Sequence, residues 1–253
     1  MNRQDLLEQV QAIQFGHPLI WFESTDSTST QAAKAVASGQ ADHGAVFVAG
    51  QQTAGRGTDG NRWESSQPKG LWMSLVLRSE SPSATAISLM PGIAIAKILR
   101  QKWGIDAHLK WPNDVLVEDR KIAGILVESI VQAAGVVHVV GIGVNLNQSC
   151  FEAELATIAC SASMVLDRQI PLPIFFGQLM TELEHLWQRP SDWIECWTAM
   201  SRMVGRQILL KQNGPEAVAT VTGLSASGGL LVIDAQGKSR EIISRAGLDV
   251  RII

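Results

Sequence analysis

The chain has too little of several things, and each shortage removes a class of protein. Its three cysteines (Cys150, Cys160, Cys196) are an odd number without CxxC spacing. That excludes a simple disulfide framework and a cysteine-rich zinc site, and fits a reducing compartment. Charged residues are scarce, 18% against 46% hydrophobic, the reverse of a disordered chain. Basic residues are not in excess: 21 Lys and Arg face 24 Asp and Glu, a net charge of −3, and no run of them reads as a nucleic-acid arm. No apolar run approaches the length of about 18 residues that a membrane span needs. The N-terminus, MNRQDLLEQVQAI, carries Asp5 and Glu8 where a secretory leader would be apolar. A cytoplasmic protein with no membrane and no DNA partner is the expectation. With 253 residues the chain can bury a core without disulfides, as one large domain with a small one.

Periodicity divides the chain unevenly. A short helix with Leu6, Leu7 and Val10 on one face opens it. Strand-like runs follow at Leu19–Phe22, Gly44–Ala49, Leu71–Leu77, Ala107–Lys110, Val115–Val117, Lys121–Ser129 and Val136–Ile142. Ser27 and Thr28 are placed to cap a helix through Thr30–Ser38 that Gly39 ends. Ala84–Trp103 reads as a long helix kinked at Pro91-Gly92. Pro171–Trp187 and Ser191–Met200 read as further helices, the second capped by Ser191. Beyond Met203 the pattern turns to short strands: Gln207–Lys211, Ala217–Gly223, Gly229–Asp234, Glu241–Ser244 and Asp249–Ile252. Turns fall at Asn213-Gly214, Ser227-Gly228-Gly229 and Gln236-Gly237. This predicts residues 1–202 as the main domain and 203–253 as a small barrel of about 50 residues. No repeat or low-complexity segment interrupts either part.

Four segments carry residues suited to chemistry. Gly55-Arg56-Gly57-Thr58-Asp59-Gly60 matches GxGxxG. A dinucleotide site needs a helix to start at that loop, and NRWESSQPKG has no helical period. No Gly-Lys-Ser/Thr closes a P-loop either. What remains is a flexible loop, or merely a surface one, with Arg56, Arg62 and a terminal Trp63. Arginine forks match phosphate or carboxylate oxygens. The second segment, Lys110-Trp111-Pro112-Asn113-Asp114, reads as a bend, followed by a lone Lys121 in an apolar strand and Gly124. Strand alternation puts Lys121 and Ala123 on one face, Ile122 and Gly124 on the other. The third, Gly141-Ile142-Gly143-Val144-Asn145, has small residues that let a ligand lie against backbone. The fourth, Ser27-Thr28-Ser29, offers hydroxyls for a helix cap or for a urea-like or carbonyl group. The five histidines (His17, His43, His108, His138, His185) show no ligand spacing, and no GxSxG marks a hydrolase elbow.

In this order, ESTDSTS, QQTAGRGTDGNRW, KWPNDVLVEDRKIAGILVE and GIGVNLN resemble the biotin–protein ligases over about residues 22–147, and more weakly through a C-terminal barrel ending LDVRII. The resemblance implies an α+β fold: a mixed β-sheet backed by helices, related to class II aminoacyl-tRNA synthetases and lipoyl ligases, with a small SH3-like C-terminal domain. It also implies a reaction. Biotin's carboxylate attacks the α-phosphate of ATP to give biotinyl-5′-AMP, and a lysine of a biotin carboxyl carrier protein, such as the acetyl-CoA carboxylase subunit, then takes the biotin. By resemblance, Arg56 and Lys121 join the two anions and Asp114 orients the lysine or a metal. Ser27, Thr28, Ser29, Gln52, Gly57, Thr58, Gly124 and Gly143, with Arg56 and Lys121, line the biotin site. Trp63, Asn113 and Asn145, again with Arg56 and Lys121, contact the nucleotide. Mg²⁺ is implied by the ATP chemistry, without an evident ligand set.

Two departures from the family pattern matter. Only about 20 residues precede the matched core, too few for the DNA-binding winged helix of many members, so a monofunctional ligase without a repressor role is expected, as monomer or homodimer. The arginine-rich loop of the family reads GRGTDG here, so Thr58 and Asp59 weaken the expected hold on the adenylate. Competing readings are a lipoate–protein ligase, a binding protein that senses biotin or nucleotide without transfer, and a dinucleotide oxidoreductase.

Overall fold

A computed structural model describes residues 2–79, 83–132, 135–211, 216–244 and 246–253. The architecture is α+β. A mixed seven-stranded sheet is built from β1 (Leu19–Thr25), β2 (Val46–Gln52), β3 (Gly70–Ser79), β4 (Ala107–Lys110), β5 (Asp114–Val117), β6 (Arg120–Gln132) and β7 (Gly135–Asn145), in the order β1-β2-β3-β7-β6-β5-β4. A short helix α1 (Arg3–Leu7) opens the chain; β1 and β2 run parallel, joined by helix α2 (Thr28–Ala37), and every other neighbouring pair is antiparallel.

Alternation along the central strands explains the two layers of helix. Val46, Val48, Leu75, Leu77, Val140 and Ile142 face one way, into the main core. Phe47, Val76, Val137 and Val139 face the other, under Ala32 and Val36 of α2. Both faces are covered, so β2 and β3 are apolar along nearly their whole length. The main face is filled by α3 (Ala84–Trp103) and α5 (Leu172–Trp187). Ser83 caps α3 by accepting the Ala86 amide, and Gly104 ends it in a left-handed conformation, φ 68°. The expected bend at Pro91-Gly92 does not end the helix. Gly92 there lies over Leu109 and Ile125 of the sheet.

Two local expectations need correction, and one element was not expected. Ser191 does not cap the following helix: its hydroxyl donates to Asp192 Oδ1 at 2.9 Å inside a 3₁₀ turn, Pro190–Asp192, and α6 starts at Trp193 and ends at Met200. A five-residue helix, α4 (Ala162–Leu166), capped by Ser161, was too short to show a period. Ser27 holds the cap position of α2 but makes no side-chain cap bond. Gln52 Oε1 instead reaches across from β2 to accept the Thr28 amide at 2.8 Å.

The second sheet holds β8 (Gln207–Lys211), β9 (Ala217–Leu224), β10 (Leu230–Asp234), β11 (Ser239–Ile242) and β12 (Asp249–Ile252), all antiparallel, in the order β11-β10-β9-β8-β12. β11 starts before the expected Glu241, because the tight Gln236-Gly237 turn sets Ile233 opposite Ser239. The expected Asn213-Gly214 turn lies outside the described residues. The inward residues Ile208, Val221, Leu230, Val232 and Val250 belong to the same apolar cluster as the large sheet. Trp111 Nε1 donates to Gly228 O at 2.9 Å and Ser83 Oγ to Ser227 O at 2.7 Å, so a turn of the small sheet is seated on the KWPND bend and the start of α3. Among the described residues no helix is long and apolar enough to cross a membrane.

Candidate active site

Most of the residues singled out in the sequence converge on one face of the large sheet, around two adjoining cavities. The smaller, about 40 Å³, is lined by Ser27, Thr28, Ser29, Gln52, Arg56, Gly57, Thr58, Trp63, Asn113, Lys121, Gly124 and Gly143, among others. The larger, about 660 Å³, opens between the sheet and the small domain and is lined by Thr58, Asn113, Asp114 and Lys121 with Lys110 and the 246–250 segment. Thr58, Asn113 and Lys121 border both. Asn145 borders neither: it is buried at the end of β7, its Nδ2 3.5 Å from Lys121 O and its Oδ1 accepting from Gln148.

At the closed end, Thr28 (2% exposed) and Ser29 (5%) sit at the first turn of α2. Thr28 Oγ1 lies 3.1 Å from Gln52 Oε1 and 2.8 Å from Ser74 Oγ, and Ser29 Oγ lies 3.0 Å from Ser74 Oγ. Gln52 Nε2 donates to Ser65 Oγ, which donates to Trp63 O. Ser65 and Ser74 were missed by the sequence reading. The available signal was a serine in the middle of the apolar run LWMSLVL.

The glycine loop closes on itself. Gly57 N–H donates to Asn61 O at 2.8 Å, Trp63 N–H to Gly55 O at 3.0 Å, and Arg56 bridges Arg62. Its tip is a 3₁₀ turn, Thr58–Gly60, with Asp59 at φ 56°. No α-helix starts there, which removes the structural basis of a dinucleotide site. Arg56 Nη2 rests 2.5 Å from Glu128 Oε1, and Asp59 Oδ1 accepts the Gly247 amide at 2.9 Å. The loop expected to be flexible is thus tied to β6 and to the segment before β12 of the small sheet.

The paired Gly124 and Gly143, read as room for a ligand, make room for a side chain: a Cβ on either would collide with the Trp63 indole, which lies across both strands. Trp63 Nε1 is buried there without a hydrogen-bond partner. Lys121 Nζ stands 5.3 Å from the centroid of that ring, a cation–π distance.

Lys121 does not follow the expected alternation. β5 and β6 change register between Val115 and Leu116, so that Val115 faces Ala123 while Leu116 faces Lys121, leaving Ile122 as the extra residue of a bulge. The bulge turns Lys121 toward the face of Gly124, whose Cβ would lie 2.8 Å from Lys121 Cε. Lys121 Nζ then lies 2.5 Å from Asp114 Oδ1. Asn113 holds the bend, its Nδ2 donating to Ile125 O and its carbonyl accepting the Ile125 amide. Of the histidines, His138 pairs with Ser129, whereas His108 Nδ1 is buried without a partner, and burial pushes both imidazoles down.

Among the described residues no cluster of three His, Cys, Asp or Glu is placed to hold a metal. Asp114 supplies one carboxylate to the larger cavity, which fits an Mg²⁺ held mostly by the phosphates of a nucleotide.

The whole arrangement is a pair of cations, Arg56 and Lys121, bordering a small cavity rich in hydroxyls, with Lys121 shared by a larger and slightly more open one. Residues 21–147 match the model of the biotin/lipoate A/B protein ligase family. A biotin–[acetyl-CoA-carboxylase] ligase of Paracoccus denitrificans is 32% identical over 237 residues, 88% of this chain and 96% of that protein. The bifunctional ligase/repressor BirA of Bacillus subtilis is 36% identical over 160 residues, and there the aligned part covers 61% of this chain but only about half (49%) of the relative's length. The biotin protein ligase of Aquifex aeolicus, solved in complex with biotin and ATP, superposes with a TM-score of 0.78 at 26% identity, covering 93% of this chain and 99% of that one. The chain belongs to the biotin/lipoate A/B protein ligase family.

Proposed function

We propose that the chain is a biotin–protein ligase that forms biotinyl-5′-AMP from biotin and ATP and transfers the biotin to a lysine of a biotin carboxyl carrier protein. The single observation that carries this is the position of Lys121 on the border of both cavities. One cation there can touch an acid's carboxylate from one side and a nucleotide's α-phosphate from the other.

Both reactants are anions, and the barrier to bringing them together falls when fixed cations replace water around them. Biotin lies with its ring among Ser27, Thr28, Ser29 and Gln52 and its carboxylate toward Arg56 and Lys121. A carboxylate oxygen bonds to the α-phosphorus, the α–β phosphoanhydride bond breaks, and pyrophosphate leaves through the open cavity. Arg56 first exchanges Glu128 for the ligand. Trp63 and Asn113 flank the nucleotide, while Asn145 acts behind Lys121 by bracing its backbone. The carrier's lysine amine then attacks the acyl carbon, AMP leaves, and the amine gives up a proton to Asp114, a carboxylate that lines the open cavity beside Lys121. Asp114 would help hold an Mg²⁺ brought by ATP, which would supply neutralisation of the phosphate charge. Residues 203–253 serve as a docked wall of the open cavity.

The test is incubation with ATP, Mg²⁺, labelled biotin and a carrier domain, with lipoate in a parallel reaction. Biotin-dependent pyrophosphate release and label on the carrier lysine are expected. Release driven equally well by lipoate refutes the biotin assignment, and adenylate formation without transfer refutes the second step.

A further inference from the structure

We infer that Ser74, which touches neither cavity, is a positioning residue that turns the pocket's hydroxyl hydrogens inward along a fixed chain, so that Thr28 and Ser29 present hydrogen-bond acceptors to the ligand ring. The inference rests on the biotin reading above and deepens it to a rule of recognition.

The directions follow from counting protons. The Thr28 backbone amide can only donate, and it meets Gln52 Oε1 at 2.8 Å. This settles which end of the Gln52 amide is oxygen, because the flipped amide would set two donors face to face. Gln52 Oε1 can only accept, so Thr28 Oγ1, 3.1 Å away, gives it its one hydrogen. Thr28 has no second hydrogen, so in the 2.8 Å contact with Ser74 the donor is Ser74. Ser74 is then spent, so in the 3.0 Å contact the donor is Ser29. The chain runs one way, Ser29 to Ser74 to Thr28 to Gln52. The other end of the amide continues outward through Ser65 to Trp63 O.

Ser74 is fully buried in β3, and among the described residues its hydroxyl meets only Thr28 and Ser29. Gly141, its partner across the β3–β7 pair, leaves the space in which the Ser29 hydroxyl sits: a Cβ there would lie 2.7 Å from Ser29 Oγ. With their hydrogens committed, Ser29 and Thr28 offer the cavity lone pairs alone. Ser27, which makes no cap bond, is the rotor left to donate. A ring with N–H groups on its edge and a carbonyl between them, such as a cyclic urea, matches this pattern. A ring that offers an acceptor where an N–H should be meets lone pairs with lone pairs.

The experiment compares pyrophosphate release by the parent and by Ser74→Ala. The acids are biotin and the two cyclic-carbamate analogues in which one ring N–H or the other is replaced by oxygen. In the parent, biotin should be preferred over at least one carbamate by more than about tenfold, the worth of one hydrogen bond. Ser74→Ala frees the Ser29 hydrogen to turn into the cavity. The KM for biotin should then rise about tenfold with kcat nearly unchanged, and the preference over that carbamate should shrink by about the same factor. Ser74→Cys keeps the shape and a weaker S–H donor and should fall between; it carries the test if the alanine variant does not fold. A parent that releases no pyrophosphate with biotin defeats the functional reading itself. A working parent whose Ser74 variants keep the same selectivity, or lose activity on all three acids in equal proportion, overturns the role of Ser74 and leaves the functional reading standing.

Discussion

The two cavities are built by opposite means. The inner end of the smaller, closed one is walled by short polar side chains on regular elements, the first turn of α2 and the strand β2, and these are bonded to one another and to Ser74 of β3, while Arg56, Trp63, Asn113 and Lys121 wall its outer end. The open one is walled by a bend, a loop tip and a segment of the small sheet, and its charged groups reach across gaps: Asp114 to Lys121, Asp59 to Gly247. The first is organised before any ligand arrives, which suits selection of one small ring. The second is wide enough for a nucleotide and for the entry of another protein's lysine. Lys121, Asn113 and Thr58 belong to both, with the apolar Ile125 and Leu126.

The strongest way to break this division is at Lys121. Lys121→Ala removes the cation that both sides share and leaves Asp114 without its partner. A lost charge-assisted bond is worth about 1.5–3 kcal/mol, so adenylate formation should fall about 10- to 100-fold while the circular dichroism spectrum stays that of the parent. Pyrophosphate release at the parent's rate would show that the cavities do not share a reacting centre.

The four motifs of the candidate site were legible in the sequence, and so was most of the fold, because central strands covered on both faces write long apolar runs. The handedness of Lys121 was not. Alternation alone put it opposite Gly124, and the bulge at Ile122 that brings the two together depends on pairing with β5, a long-range property without a local signature. Gly124 and Gly143 were rightly marked as places of close approach, but nothing in the local sequence tells that Trp63 is what approaches. Trp111 showed the converse limit. It stood out inside a motif that points to chemistry, yet it is 1% exposed and ties the bend to Gly228 of the small sheet. The serine chain was hidden because Ser65 and Ser74 act only through Thr28 and Gln52, from separate elements.

A second variant should disturb neither cavity and so sharpens the contrast. Glu184 on α5 is 7% exposed and accepts the backbone amides of Ile13, Gln14 and Phe15, pinning the N-terminal segment to the core. Burial is the largest single influence and pushes its carboxyl up, but the three amides together hold it below the ordinary carboxylate value. A carboxyl lowered on folding stabilises the protein above its unfolded pKa, and that stability is lost as the pH falls through the lowered folded value. Glu184→Gln sets an NH₂ donor against these amides and should cost about 1–3 kcal/mol at pH 7, roughly 2–4 °C in Tm per kcal/mol. Thermal scans should show the gap closing as the pH is taken down through the acid range, with kcat and KM for biotin untouched at pH 7. A gap that persists undiminished in acid would mean that packing, not the charge, is what Glu184 contributes.

The smallest effect separates the cavities most finely. Asp59 occupies a position where the family pattern is basic, and by charge alone it should loosen the hold on an anionic adenylate. Its carboxylate, however, is turned to the Gly247 amide, 2.9 Å away, and so fastens the loop tip to the small sheet at the mouth of the open cavity. The two effects have opposite signs. Repulsion would make Asp59→Ala hold biotinyl-5′-AMP longer, and the latch would make it release the adenylate sooner. Both residues of the bond are exposed, so the bond is worth about 0.5–1 kcal/mol. The latch predicts adenylate dissociation about two- to fivefold faster in Asp59→Ala, quicker proteolytic cleavage after Arg62, and an unchanged KM for biotin, since the closed cavity does not include Asp59. Thr58→Arg should act the other way, adding a cation that faces both cavities and slowing release, and it keeps the latch. Slower release from Asp59→Ala would establish that the wrong-sign charge outweighs the bond to Gly247, and the small sheet would then have no part in retaining the intermediate.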